Sequence, residues 1–299
     1  MRRQLEAIMA AEWPRMEDTG KLARLLCDRC YNHSFLDPAP PPITVSEDIL
    51  PALIAANQSR PAWEEGWTID QRLEDGPILA RKGRAARSFL PGEYITSRGL
   101  DRGPDPDDAI RVFIAPGSPD LQKAFYFAFG QAIEELGPSV PTLRVYWNIA
   151  PEGVTLLMET LTREFNRFQV PFRFKCLRHV AHYSRRDPAI LYVSRRSYPI
   201  VAMLIEKIYP TVRPWLRDTV PLFTKPVARG LGFAEDPGDS FGSHRSRILA
   251  EAVTRSHGQP VDRRLGELRR QFEQRGISLD TPWLGPASPE TYEFPFPAA

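Results

Sequence analysis

The chain has 299 residues, room for one large domain or two ordinary ones, and 42% hydrophobic residues, enough for a substantial core. A net charge of +2 excludes no class of partner, but 10% aromatic residues exclude a disordered chain. No apolar run approaches the roughly 20 residues that span a bilayer. "MRRQLEAIMAAEWPRMED" also lacks the apolar stretch of a signal peptide, so a soluble, cytoplasmic protein is expected, with neither membrane nor nucleic acid as partner.

Residues 1–36 read as amphipathic helix. Within them "CDRCYNH" offers Cys27, Cys30 and His33, but a closed zinc site needs a fourth ligand, and no second CxxC or HxxxH pair supplies one. Three sparse cysteines do not make a disulfide framework either. "DPAPPPITVSEDILP" is a proline-rich crossover, after which Ser46 can cap a short helix. "GWTIDQRLEDGPILARKGRAARSFLPGEYI" reads as short strands turning at Gly76, Gly83 and Gly92, and "RGPDPDD" as a solvent turn. "AIRVFIAPG" is a strand with Ile110, Val112 and Ile114 on one face.

"SPDLQKAFYFAFGQAIEELGPS" predicts an amphipathic helix with Ser118 as N-cap, Pro119 in its first position and Gly137 at its end. Strand "PTLRVYWNIAP", helix "EGVTLLMETLTREFNRFQ", strand "VPFRFKCLRHV", strand "AILYVS" and helix "YPIVAMLIEKIYPTVRPWL" follow. A long glycine- and proline-rich segment, "VPLFTKPVARGLGFAEDPGD", leads to two closing helices and a proline-rich tail. The pattern predicts an α+β fold: a mixed or mostly antiparallel sheet flanked by helices, with a helical N-terminal portion (1–70) and an α+β domain (71–299) forming one continuous globular unit.

Charge is unevenly placed. Residues 144–229 hold 15 lysines and arginines against 6 acidic residues, whereas the rest of the chain holds 24 against 31. Such a basic island gathers anions at one place. On strand 143–149, Leu143, Val145, Trp147 and Ile149 face one way and Arg144, Tyr146 and Asn148 the other. Arg173, Lys175 and His179 share one parity on the next strand. Two readings are open: the solvated face of a half-buried sheet, or the floor of a phosphate or carboxylate pocket.

Lys175, set between Phe174 and Cys176 among arginines, is expected to have a lowered pKa from desolvation and like charge. That suits a base or nucleophile near neutral pH, unless the lysine merely snorkels from an edge strand. Segment 220–245 brings Lys225 and Arg229, then "DSFGSHR" opens a helix with Asp239 or Ser240 as N-cap and Arg245 one turn further in. It reads either as an anion-binding helix start or as a plain capped helix. Walker, GxGxxG, kinase and GxSxG motifs are absent.

"LRVYWNIAPEGVTLLMETLTREFN", "VPFRFKCLRH", "RRDPAILYV", "PLFTKPVARGLGFAEDPGDSFGSHRSRILAEAV" and "FEQRGISLDTPWL", in that order, resemble the HopA-type type III effector family. "FLPGEYI" and "QKAFYFAFG" are similar to that family's earlier half, so the resemblance covers roughly residues 75–285. Members outside pathogens resemble lyase partners in class V lanthipeptide and thioamitide biosynthesis. The resemblance implies a carbon–oxygen lyase that removes phosphate from phosphoserine or phosphothreonine of a leader-bearing precursor peptide, beside a kinase-like phosphotransferase and without cofactor or metal.

Elimination needs a base, cations around the phosphate and an acid for the leaving oxygen. Lys175 is assigned the base, His179 the acid with Tyr146 as second choice. Arg144, Asn148, Arg185, Arg186, Lys225, Arg229 and Arg245 are assigned the phosphate, and Asp187, Asp236 and Ser240 positioning roles. Asp187 and Asp236, each before a proline, also read as turn and cap residues. The alternatives are a non-catalytic phosphopeptide-binding or kinase-partner module and a plant-pathogen effector.

Overall fold

The structure is a computed structural model that describes residues 1–14, 18–37, 47–74, 76–96, 104–133 and 140–296. It is an α+β fold built on two antiparallel sheets, with helices at the N-terminus. Helices α1 (Arg2–Ala10) and α2 (Thr19–Leu26) open the chain, and α2 runs directly into a π-turn over Cys27–Asn32. Asp18 caps α2 by accepting from the Gly20 amide. Helix α3 (Leu50–Ala56) starts where the Asp48 carboxylate accepts from the Leu50 amide; Ser46, the expected cap, lies outside the described residues.

The smaller sheet holds β1 (Ala62–Arg72), β2 (Ile78–Lys82), β3 (Ala85–Phe89), β4 (Tyr94–Thr96) and β5 (Ala109–Ile114), in the order β3-β2-β1-β5-β4. Gly76, Gly83 and Gly92 turn these strands with positive φ, as expected of the residue that carries no Cβ. Its own small core gathers Trp67, Ile69, Ile78, Phe89, Ile110 and Val112.

The larger sheet holds β6 (Gly117–Ser118), β7 (Phe125–Phe129), β8 (Thr142–Trp147), β9 (Phe172–Leu177), β10 (Ala189–Ser194), β11 (Lys225–Ala228) and β12 (Leu231–Glu235). Its order is β11-β12-β8-β10-β9-β7-β6. The expected helix at Ser118 is therefore corrected: β6 and β7 occupy its first part, and Gly137 lies outside the described residues. The aromatic run "AFYFAF" prefers a pleated surface, and Gly130 permits the approach that lets its amide donate to the Phe172 carbonyl at 3.0 Å.

Helices cover both faces of this sheet. On one side α4 (Pro151–Arg167) and α5 (Tyr198–Val212) pack over Val145, Trp147, Phe174, Leu191 and Phe233. Helix α4 opens on Pro151 and buries Val154, Leu157, Met158, Leu161 and Phe165, one stripe at helical spacing. On the other side α1, α2, α6 (Phe241–Arg255) and α7 (Val261–Glu273) pack over Tyr146, Ile190, Tyr192 and Ala234. The polar face of β8 is thus a buried face, not a wet one. The helical cover thins toward β9, where Lys175 is half-buried and Arg173 exposed.

Candidate functional site

Strand register brings the charged residues of this face into rows. Arg144 on β8 pairs across Tyr192 on β10 with Arg173 on β9, and Tyr146 pairs across Ile190 with Lys175. Registered partners in an antiparallel sheet share a face, and with strands about 4.8 Å apart the ends of each row lie roughly 10 Å from one another. The Tyr192 ring sits between the two guanidinium groups, whose central carbons lie 5.1 Å (Arg144) and 5.3 Å (Arg173) from its centroid.

The Lys175 amine donates to the Gln122 side-chain oxygen at 3.0 Å and lies 4.4 Å from the Phe125 ring centroid. Its pKa is lowered to about 8. Burial is the main cause; the Asp187 carboxylate opposes it, while Arg144, Arg185 and Arg173 reinforce it. Asp187, in the loop that leads into β10, is held by Arg185 through two parallel bonds, Nε to Oδ1 at 2.8 Å and Nη2 to Oδ2 at 2.9 Å. Asp187 thereby fixes the direction of the Arg185 guanidinium.

Arg144 donates through Nη2 to Asp236 Oδ1 (2.8 Å) and to the Asp239 carbonyl (2.6 Å). Asp236 also accepts from the Gly238 amide at 2.8 Å, so one carboxylate ties the turn before α6 to the arginine. Ser240 caps α6, accepting from the Ser243 amide. Two buried polar atoms at this place close no hydrogen bond within the protein: Arg144 Nε and Tyr146 Oη. Unpaired buried donors are rare and costly.

The sequence assignments divide accordingly. Arg144, Tyr146, Lys175, Arg185 and Asp187 come together, with Asp236 behind Arg144. Lys225 does not join them. It pairs in register with Phe233, whose partner Val145 faces α4 and α5, and its amine is bound to Glu290 (2.9 Å) and to the Tyr292 carbonyl (2.7 Å). Arg229, in the β11–β12 turn, pairs with Asp218 at 2.8 Å. Asn148 and Arg186 reach a different loop, bonding the Thr219 and Val220 carbonyls respectively, and Arg186 also binds Asp37 at 2.9 Å.

Arg245 is adjacent to Tyr146 but committed elsewhere: Nε and Nη2 donate to the Pro282 and Leu284 carbonyls, both at 2.8 Å, stapling the C-terminal segment to α6. His179 lies beyond the end of β9, bridged to Asp48 and with its ring 5.8 Å from that of His182. The shared parity with Lys175 fails because β9 ends at Leu177 and the chain turns.

Several residues of the cluster were not singled out from the sequence. Tyr192 was legible in principle, since placing "AILYVS" between the other two strands puts it between Arg144 and Arg173. Tyr31 carried no signal, and Cys27 drew notice only as a zinc ligand lacking a full set, because the π-turn that aims them has no sequence mark. Cys27 contacts Ser246 and Ser243 on α6, and burial raises its thiol above the ordinary value. Cys30 is buried, His33 Nε2 lies 3.4 Å from Ser184 Oγ, and among the described residues no group of three or more His, Cys, Asp or Glu side chains is placed to hold a metal. Among them, too, no helix is long and apolar enough to cross a membrane.

A family model described as the HopA1 effector protein family matches residues 117–284, more than half of the chain. The chain belongs to the HopA1 effector protein family. The matched stretch contains the whole seven-stranded sheet and α4 to α7, and leaves out α1, α2, the π-turn, α3 and the five-stranded sheet. Among solved structures, the effector protein from Pseudomonas syringae pv. tomato strain DC3000 is 17% identical, with 95% of each chain covered and a TM-score of 0.54. The effector protein from Pseudomonas syringae pv. syringae strain 61 is 16% identical, covering 95% of this chain and 98% of that one, with a TM-score of 0.49. The first likeness extends the shared fold beyond the matched stretch. No curated protein matches the chain in sequence.

Proposed function

We propose that this HopA1-family protein is a phosphoserine/phosphothreonine lyase that eliminates phosphate from a precursor peptide, leaving dehydroalanine or dehydrobutyrine. The observation that carries the reading is a lysine amine with its pKa lowered to about 8, grouped with Arg144, Arg173 and Arg185 where the helical cover of the sheet ends. A base poised near working pH beside a cationic cluster is what elimination from a phosphate ester requires.

Neutral Lys175 takes the Cα proton, and the C–H electron pair becomes the Cα=Cβ bond. The Cβ–O bond breaks with its pair on the ester oxygen, which needs a proton to leave as hydrogen phosphate. In this reading Tyr146, at the far end of the Lys175 row, supplies that proton, and His179, beyond the end of β9, does not. Arg144 Nε, Arg173 and Arg185 hold the non-bridging oxygens of the phosphate. A kinase-like partner would supply the phosphorylated, leader-bearing peptide.

One observation favours the second reading, a non-catalytic phosphopeptide-binding module. The Lys175 amine lies over the Phe125 ring and within 5.7 Å of the Phe127 and Tyr192 centroids, and ring faces stabilise an ammonium. Mass spectrometry of a phosphothreonine peptide incubated with the protein separates the two: loss of phosphoric acid is elimination, and an intact peptide that stays bound is recognition alone.

A further inference from the structure

The N-terminal helical portion is locked to the loop that carries the site. The Arg186 amide donates to the Asn32 carbonyl at 2.7 Å, Arg186 Nη2 binds Asp37, and His33 meets Ser184. These three links clamp residues 184–186, next to Arg185 and Asp187. Between them the π-turn projects Tyr31 inward, where its ring is fully covered. Inserting one residue into a helical turn re-aims side chains in this way.

Tyr31 is seated against α6 at the one residue that admits it. A Cβ on Gly242 would collide with the Tyr31 ring. The Phe241 ring lies 6.2 Å from the Tyr31 ring and 6.2 Å from the Tyr146 ring, flanking both phenols. The two phenols influence each other electrostatically, and the buried Tyr146 Oη closes no hydrogen bond within the protein.

We propose that Tyr31 is a positioning residue of the site, its hydroxyl donating to the Tyr146 oxygen and holding the phenolate that Tyr146 becomes when it protonates the departing phosphate. This rests on the lyase reading above. The proton balance closes: the Tyr146 proton goes to the ester oxygen, the Cα proton goes to Lys175, and passing that proton on to Tyr146 returns both groups to their starting forms. The charges around the phenolate suit it, with Arg144 on β8 and Arg245 on α6 favouring the anion and Asp187, beside β10, opposing it. Burial raises both phenols, Tyr31 well above the ordinary value.

The test uses the full chain with Tyr31→Phe, which keeps the ring and removes only the hydroxyl. A fluorotyrosine incorporated at position 146 reports that phenol's titration by fluorine NMR, with phosphothreonine-peptide elimination measured alongside. Expected are a Tyr146 titration about one pH unit higher, a kcat lower by about tenfold to a hundredfold, and a KM changed less than threefold, as for loss of one charge-assisted hydrogen bond. Fluorotyrosine at position 31 instead, which keeps the donor, should restore kcat. An unchanged Tyr146 titration in Tyr31→Phe overturns the proposal, as does an unchanged kcat. If wild type never eliminates phosphate, the lyase reading fails first and the catalytic role of Tyr31 goes with it, whatever the titration shows.

Discussion

Arg185 and Asp187, two residues apart, form a two-bond pair whose carboxylate also faces Lys175, so one ion pair sets both an arginine's orientation and a lysine's charge. Asp187 opposes the burial that lowers the Lys175 pKa. Asp187→Asn should therefore bring the Lys175 titration below 8 while freeing the Arg185 guanidinium. Denaturant unfolding should show a loss of about 2 kcal/mol, less than for a fully buried pair because Arg185 is about one-third exposed. Lysine side-chain NMR through pH 6 to 10 follows the first effect.

The rate should rise with pH. The base must be the neutral amine, so kcat/KM climbs about tenfold per pH unit below the Lys175 pKa and levels near pH 8. A profile flat from pH 6 to 9 would remove Lys175 from the role.

Stability should carry the opposite face of the same shift. The folded amine titrates at about 8 against 10.5 for the ordinary group, so the native state binds fewer protons than the unfolded one across that window. The penalty for burying Lys175 is present in full below pH 8 and fades as pH rises toward 10.5. Lys175→Met should raise stability at pH 7 by about 1 kcal/mol, discounted for the partial solvent contact of the amine, and the gain should vanish by pH 10.5. Thermal unfolding of the pair at both pH values reads it.

Two cations drawn from the sequence as phosphate ligands should prove unnecessary for holding the phosphopeptide. Lys225→Met removes a contact to Glu290 on the opposite face, so kcat/KM should stay within twofold. Arg245→Met strips two carbonyls of their donors and should cost about 3 kcal/mol of stability, with KM for the phosphopeptide little changed in the protein that still folds.

Gly242→Ala should be disproportionately harmful for a one-carbon change. The added methyl meets the Tyr31 ring, and relieving that overlap costs about 1–3 kcal/mol and shifts the phenol. Thermal unfolding and kcat should fall together, whereas Gly266→Ala, a helix position with open space around it, should be neutral or mildly stabilising.

Much of this was legible from residue alternation. Leu143, Val145 and Trp147 do turn to one core while Arg144 and Tyr146 share the other face, because period-two patterning survives wherever a strand is sandwiched. Lys175 stood out since a cation between Phe174 and Cys176 must be partly desolvated. What failed depended on where elements end and what lies across from them. His179 shares the parity of Lys175 but follows the end of β9; Lys225 was placed by its β11 pairing with Phe233, which no local pattern reveals. The β7 run "FYFAF" reads as helix because Ser118 and Pro119 upstream of it imitate a helix start, whereas the run pairs as a strand with β9. Tyr31 depends on a π-turn and on a distant glycine, and neither is visible in the order of its neighbours.

The measurement that tests the central claim most directly is mass spectrometry of a phosphothreonine peptide after incubation with wild type and with Lys175→Met, in the presence of the kinase-like partner. The account predicts loss of phosphoric acid with wild type and an intact phosphopeptide, still bound, with the variant. Equal elimination by both proteins would contradict it.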